Sequence, residues 1–345
     1  MRCIPTHSAF SGHFCSHLTD ARMHAPVPHF MPELPMRARL QVPLMLRESN
    51  QLLPEMLKLV SIILFFPVLY CIIIKDALPR RIRRLHSHFG APILLEKEAF
   101  KMFRFIGVVI FLITYLILSI PVFGVEWIIG KFNPYARDIS SLRIVQWGFK
   151  SILKITGVRA TVIGEENIPD EPVLFIGNHR SYFDILLTYS RCRRLTGYIA
   201  KKEMEHIPSL STWMRRLYCL FLDRKDPKQG LKTILQAIDY VKNGISICVF
   251  PEGTRNSGEE LSMLPFKDGA FKIATKTGCA IIPISMNNTA DIWEAHMPKI
   301  RKTHVVIEYG KPIYPDQLDK DTKRHIGDYV ENIIRETIHK NAELV

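Results

Sequence analysis

What the chain lacks narrows its chemistry first. Its seven cysteines, at positions 3, 15, 71, 192, 219, 248 and 279, form no C-x-x-C pair and no metal-ligand spacing, so no bound metal is expected. They read as reduced thiols of a cytosolic or cytosol-facing protein, with Cys248 and Cys279 in the core. The absence of a G-x-S-x-G elbow argues against a serine lipid hydrolase. No helix-turn-helix, RNP segment or basic-aromatic stripe is visible, so no nucleic-acid partner is expected. Internal repeats and Gly/Ser linkers are missing too. Acidic residues are few: 33 Asp and Glu stand against 46 Lys and Arg, a net charge of +13, and Asp20 is the first acid. That excess suits anionic lipid, nucleic acid or an acidic carrier protein, and it also fits a membrane-tethered basic binding protein without catalysis.

The 345 residues allow one large or two medium domains. Residues 1–55 hold five His, seven Pro and five Met with little helix or strand patterning, and are expected to be a disordered or extraneous extension. Residues 56–135 contain two apolar runs, Leu59 to Ile74 (broken by Pro67) and Phe105 to Val125, and read as membrane-anchoring segments. The second is long enough to span a bilayer and the first is marginal. Lys75, Arg80, Arg81, Arg83 and Arg84 lie between the runs, while a basic region also follows the second, so two full spans would oppose the positive-inside tendency. Either at least one run is therefore expected to dip into the interface, or the first is not a true span; Trp127 and Lys131 read as interfacial anchors.

Residues 136–345 read as one domain. Leu142, Val145, Phe149, Ile152 and Leu153 predict an amphipathic helix from Ser140 to Thr156, stopped by Gly157. Strand-like runs follow near 159–163, 173–177, 196–200, 218–222, 245–250, 280–286 and 304–309, with helices over 228–242 and 322–340. This alternation predicts an α/β fold with a mixed, largely parallel sheet of about seven strands flanked by helices, preceded by N-terminal hydrophobic membrane helices.

Chemistry concentrates at strand ends. Asn178-His179-Arg180-Ser181-Tyr182-Phe183-Asp184 follows the run Val173–Ile176, and Ser181 with Asp184 is a capping-box pattern for a helix toward Tyr189. His179 then sits on a strand-to-helix turn, where Asp184 in the first helical turn can hold one imidazole tautomer and leave the other nitrogen as a base. Phe250-Pro251-Glu252-Gly253-Thr254-Arg255 closes another strand and offers a permissive glycine, a hydroxyl and a guanidinium, which suits a phosphate ester. Lys201 and Arg224 likewise end strand-like runs with a cation, and Ile282-Pro283-Ile284 fits a strand near a pocket wall.

Asn178–Asp184, Arg224, Phe250–Arg255 and Ile281–Ile284, in this order, resemble the four motifs of the glycerolipid acyltransferases, above all the bacterial-type 1-acyl-sn-glycerol-3-phosphate acyltransferases. The likeness runs from about Met102 to the C-terminus; one small departure is Asn256, where many relatives carry Ser. The resemblance implies acyl transfer from a thioester, acyl-CoA or acyl carrier protein (acyl-ACP), to the sn-2 hydroxyl of lysophosphatidate, forming phosphatidate in phospholipid biosynthesis. Glycerol 3-phosphate or another lysophospholipid is the alternative acceptor. It further implies a membrane enzyme with its catalytic domain facing the cytoplasm and no cofactor beyond the thioester co-substrate. Carried onto this chain, His179 is the base and Asp184 orients it. Arg224 and Arg255 hold the acceptor phosphate, with Glu252, Gly253 and Thr254 shaping that site and Asn178, Ser181, Lys201 and Pro283 in support. Backbone N–H groups near the turn are candidate oxyanion donors. Residues 1–101 match nothing in that family, so a chain beginning at Met102 is expected to be a complete membrane-bound acyltransferase.

Overall fold

The longest apolar stretch of the sequence becomes the longest helix. The computed structural model describes residues 93–345, with side chains from 100 onward, so the 1–55 extension, the run Leu59–Ile74 and the basic cluster after it lie outside the described residues. Helix α1, Ile93–Phe132, has 40 residues and a length of about 60 Å at 1.5 Å per residue. Met102 falls inside it, well past its first turn. Its stretch Phe100–Phe132 is long and apolar enough to cross a membrane, with a mean hydropathy of 2.6 over its most apolar 18-residue window.

One side of α1 is packed and the other is not. Phe111, Tyr115, Ser119 and Glu126 are buried, whereas Ile106, Ile110, Ile113, Ile117, Ile120 and Trp127 are exposed. The exposed side is thus apolar and the buried side carries polar groups, the reverse of a helix on a water-soluble surface. Helix α2, Pro134–Thr156, folds back along α1 after Asn133, whose side chain caps the Ala136 N–H at 2.9 Å, with Pro134 preset for the first turn. Gly157, at φ 75°, ends α2 by donating back to Leu153 and Lys154. Tyr115 sits against Gly148 and stacks near Trp147, and Trp213 donates to Ser119 Oγ at 2.8 Å, so the hairpin shares a core with the rest of the domain.

Seven strands follow: β1 Arg159–Ile163, β2 Leu174–Gly177, β3 Thr196–Lys201, β4 Leu220–Leu222, β5 Ser246–Val249, β6 Ile281–Asn287 and β7 His304–Tyr309. Their order is β1-β7-β6-β2-β5-β3-β4. The five strands from β6 to β4 run parallel; β7 is antiparallel to β6 and carries β1 parallel to itself. Each of the seven predicted strands is present. The run at 218–222 starts late because Tyr218 has φ 59°, a left-handed conformation that breaks the extended chain, and its carbonyl presses on Gly197, where a Cβ would come within 2.2 Å.

Between the strands run α3 Phe183–Tyr189, α4 Leu210–Arg216, α5 Pro227–Lys242 and α6 Lys272–Thr277, and after the last strand come α7 Lys320–Arg324 and α8 Ile326–Asn341. The helix predicted over 322–340 is therefore two, parted at His325, with Asp319 capping the first through the Asp321 and Thr322 N–H groups. The alternation of Val173 and Phe175 against Leu174 and Ile176 splits the interior into two cores. One lies under α1 to α4 and includes Phe183, Leu187, Trp213, Ile284 and Tyr309; the other lies under α5, α6 and α8 and includes Ile238, Phe271, Ile273 and Val330. Ile273 is fully buried, and its loss to Ala would cost about 2–5 kcal/mol. Cys248 is buried, Cys279 is half-buried against the second core, and burial pushes the Cys192 and Cys219 thiols up to about 11 and about 12.

This layering positions the chemistry. β2 leads into α3 on the first face, while its neighbour β5 leads into α6 on the opposite face. Two adjacent parallel strands whose chains depart to opposite faces leave a crevice at their C-terminal ends, the place where open α/β sheets bind ligands.

Candidate active site

The turn after β2 is fixed at every backbone donor. Asp184 is fully buried, and its Oδ2 accepts from Arg180 N–H (2.7 Å), Ser181 N–H (2.8 Å) and His179 Nδ1 (2.8 Å). An oxygen already receiving two backbone N–H groups must act as acceptor toward the ring as well. Nδ1 therefore carries the hydrogen, and Nε2 keeps its lone pair. The ring plane is set by Phe250, stacked at 4.4 Å between centroids and 12° between planes. The helix start is as predicted: Ser181 Oγ accepts from Phe183 N–H at 3.0 Å while the Asp184 carboxylate takes the Ser181 N–H.

His179 N–H donates to Glu252 Oε1 at 2.6 Å, and Tyr182 N–H to Glu294 Oε1 at 2.7 Å. All five N–H groups from His179 to Phe183 are thus engaged, so oxyanion donors near the turn would be other N–H groups than these. Asn178 grips β6 with both ends of its amide, accepting from Met286 N–H and donating to Met286 O at 2.9 Å each.

The turn after β5 lies alongside. Asn256 N–H donates to His179 O at 2.7 Å, so the two turns are stitched backbone to backbone. Glu252 is buried; besides His179 it accepts the Leu264 N–H through Oε2 at 2.9 Å. Its place is inside the protein, bracing three segments, rather than facing the crevice. Burial pushes the Glu252 carboxyl above its usual range, partly offset by the Leu264 and His179 amides. Gly253 has φ 74°, and the Lys267 ammonium lies over it; a Cβ there would come within 2.7 Å of Nζ. Thr254 is exposed and makes no hydrogen bond among the described residues. Arg255 is half-buried, with Cζ 3.7 Å from the Tyr182 ring centroid and Nη1 3.2 Å from Glu294 Oε1.

The remaining predicted residues are farther away. Lys201 ends β3, exposed and paired with Glu203 at 3.0 Å. Arg224 is exposed in the turn after β4. With β5 and β3 between β2 and β4, that turn begins on the order of 14 Å from the end of β2. Both still belong to the same C-terminal edge of the parallel strands as His179 and Arg255. Pro283 is buried in β6, paired with Ile176; its carbonyl takes Gly310 N–H at 2.8 Å where the β7 ladder ends, so its missing donor disrupts little. Its neighbour Ile284 is the one that lines a cavity of about 260 Å³, together with Phe175, Thr188, Tyr198 and Tyr309 on the α3 side of the sheet.

This stretch of chain, residues 159–287, matches the family model described as Acyltransferase. The matched segment runs from β1 to the end of β6 and contains both turns. The whole chain is 31% identical over 201 residues to the 1-acyl-sn-glycerol-3-phosphate acyltransferase of Saccharomyces cerevisiae, covering 56% of this chain and 65% of the relative, just under two thirds. It is 26% identical over 250 residues to a probable 1-acyl-sn-glycerol-3-phosphate acyltransferase of Mycoplasma pneumoniae, covering 64% of this chain and 90% of the relative. Its fold is like the crystal structure of the 1-acyl-sn-glycerophosphate (LPA) acyltransferase PlsC from Thermotoga maritima, with a TM-score of 0.60, 21% identity, and coverage of 71% and 99%.

Sequence reasoning passed over several residues that the structure places at the site. Phe250 and Tyr182 sit inside the quoted motifs, where an aromatic next to a His or an Arg is the available signal. Arg180, adjacent to His179, is buried and donates to Gly258 O and Glu259 O at 2.8 Å each, pinning the loop after Arg255. Lys267 and Glu294 lie on loops distant in sequence, and nothing in their local pattern marks them.

Proposed function

We propose that this protein transfers a fatty acyl group from a thioester, acyl-CoA or acyl-ACP, to the sn-2 hydroxyl of 1-acyl-sn-glycerol 3-phosphate, giving phosphatidate. The observation that carries this reading is the His179–Asp184 pair at the crevice between β2 and β5, with the Arg255 guanidinium beside it. The names of the relatives, each a 1-acyl-sn-glycerol-3-phosphate acyltransferase, support the same acceptor.

The reaction follows from the protonation pattern. Nε2 of His179 takes the proton of the acceptor hydroxyl as its oxygen attacks the thioester carbonyl, and Asp184 steadies the imidazolium through Nδ1–H. The tetrahedral oxyanion collapses, the carbon–sulfur bond breaks, and the thiolate takes the proton back from Nε2. A thiolate leaves readily, so no covalent enzyme intermediate is required, and Ser181 has a structural duty instead. Its hydroxyl is committed to Glu294 and to the Phe183 N–H. Arg255, and at longer range Arg224 and Lys201, present cations along one sheet edge to the acceptor phosphate.

The exposed apolar side of α1 supports a membrane location, with the catalytic domain on the cytoplasmic side where acyl thioesters are made. No cofactor besides the thioester enters this scheme. The test is to supply membranes containing the full chain with defined lysolipids and each thioester, then identify products by mass. Phosphatidate from lysophosphatidate is the expected result; acylation of glycerol 3-phosphate alone, or no acyl transfer, would sink the reading.

A further inference from the structure

Glu294 comes from outside both turns and touches each of them. It follows β6 in a short 3-10 turn, more than a hundred residues from the His179 motif, and its side chain is 13% exposed. Its Oε2 accepts from Ser181 Oγ at 2.7 Å. Its Oε1 accepts from Tyr182 N–H at 2.7 Å and from Arg255 Nη1 at 3.2 Å. The Arg255 guanidinium meanwhile lies over the Tyr182 ring at 3.7 Å, and that ring packs against Trp293, which stacks on Phe105 of α1.

Two contacts of different kinds therefore hold one guanidinium. A lone arginine on a half-exposed turn would sample many rotamers and lose that freedom on binding an anion. Here the ring fixes the plane of the guanidinium, and the carboxylate takes one of its five N–H donors, leaving the others available for a phosphate. Ser181 and Tyr182 carry the constraint onward, because they neighbour the amides that hold Asp184.

We propose that Glu294 and the Tyr182 ring form a clamp that aims Arg255 at the acceptor phosphate and ties its position to the turn bearing His179. Glu294 is thus a positioning residue. The inference rests on the reading of Arg255 as a phosphate ligand. It adds a residue that lies outside the two motifs and even outside the segment matched by the family model, 159–287.

The test is a double-mutant cycle on the full chain in mixed micelles, with lysophosphatidate as the varied substrate. Glu294→Gln keeps the shape and removes the charge. The expected result is a KM raised about tenfold, the scale of one charge-assisted hydrogen bond, with kcat lowered less than about threefold and its pH profile unmoved. In an Arg255→Lys background the same change should alter KM less than about twofold. Should Glu294→Gln not accumulate, Tyr182→Leu takes its place, since it keeps the carboxylate but removes the ring, and must show the same Arg255-dependent rise in KM. Multiplicative effects in the cycle, or a lower KM in the single variant, overturn the clamp while wild-type phosphatidate synthesis stands. A wild-type chain that makes no phosphatidate overturns the functional reading and the clamp with it.

Discussion

The two turns that build the site differ in how firmly each is held. After β2, all five N–H groups from His179 to Phe183 are bonded within the protein, and Asp184 is fully buried. After β5, Gly253 to Arg255 are half-buried or exposed, and Thr254 has no hydrogen bond among the described residues. The difference suits the two tasks proposed for these turns. Proton removal needs one tautomer at one angle, which demands burial and a saturated hydrogen-bond shell. Phosphate capture needs donors that remain uncommitted and open to a ligand arriving from the interface. A mutation in the first turn should therefore act on turnover, and one in the second on affinity.

The strongest break in that contrast is His179→Ala, expected to lower kcat by about 10²–10⁴ with little change in KM for lysophosphatidate or in the melting curve. Near wild-type turnover would remove His179 from the mechanism. Asp184→Asn comes next. It keeps an acceptor for the amides but buries an extra N–H₂ where Oδ1 has no partner, so it should cost about 1–3 kcal/mol of stability besides most of the activity, read by melting and initial rates together. Arg255→Lys should leave kcat within about threefold and raise KM roughly tenfold, because an ammonium neither stacks on Tyr182 as a plane nor offers two parallel donors. Equal losses in both parameters would erase the division between the turns.

The smallest effect concerns the strut that joins them. Burial raises the Glu252 pKa, so the folded state prefers the protonated acid; its contribution to stability is full below the ordinary value of 4.5 and declines as pH rises through the raised value. Glu252→Gln should flatten the dependence of Tm on pH between about 4.5 and neutrality, while lowering Tm overall because its N–H₂ must face one of two amide donors. An unchanged slope would mean that other groups set it.

Much of this was legible because it is local. Seven strands, the Ser181–Asp184 helix start and the His179–Asp184 pairing all follow from residues within about five positions of each other. The start of α2 was readable but missed: Asn133-Pro134 is a cap followed by a preset first residue, yet the apolar periodicity becomes visible only from Leu142. What stayed hidden depends on the order of strands. No spacing says that β6 crosses back beside β2, so neither the Asn178–Met286 pair nor the arrival of Glu294 at Arg255 is written locally. Glu252 shows a different case. Its motif marks it as shaping a phosphate site, and only the fold supplies the two amide partners through which it braces that turn.

The one-sided α1 helix sets the kinetic regime. A helix whose outer flank is Ile106, Ile110, Ile113, Ile117 and Ile120, and whose inner flank is locked to the catalytic core through Tyr115, Trp147 and Trp213, cannot leave a bilayer without taking the His179 turn along. On the proposed function, encounters with the lipid acceptor would then occur by lateral diffusion in two dimensions, and the relevant concentration would be molecules per unit area. Diluting the acceptor with inert lipid should slow the enzyme at constant bulk concentration, whereas adding buffer should not.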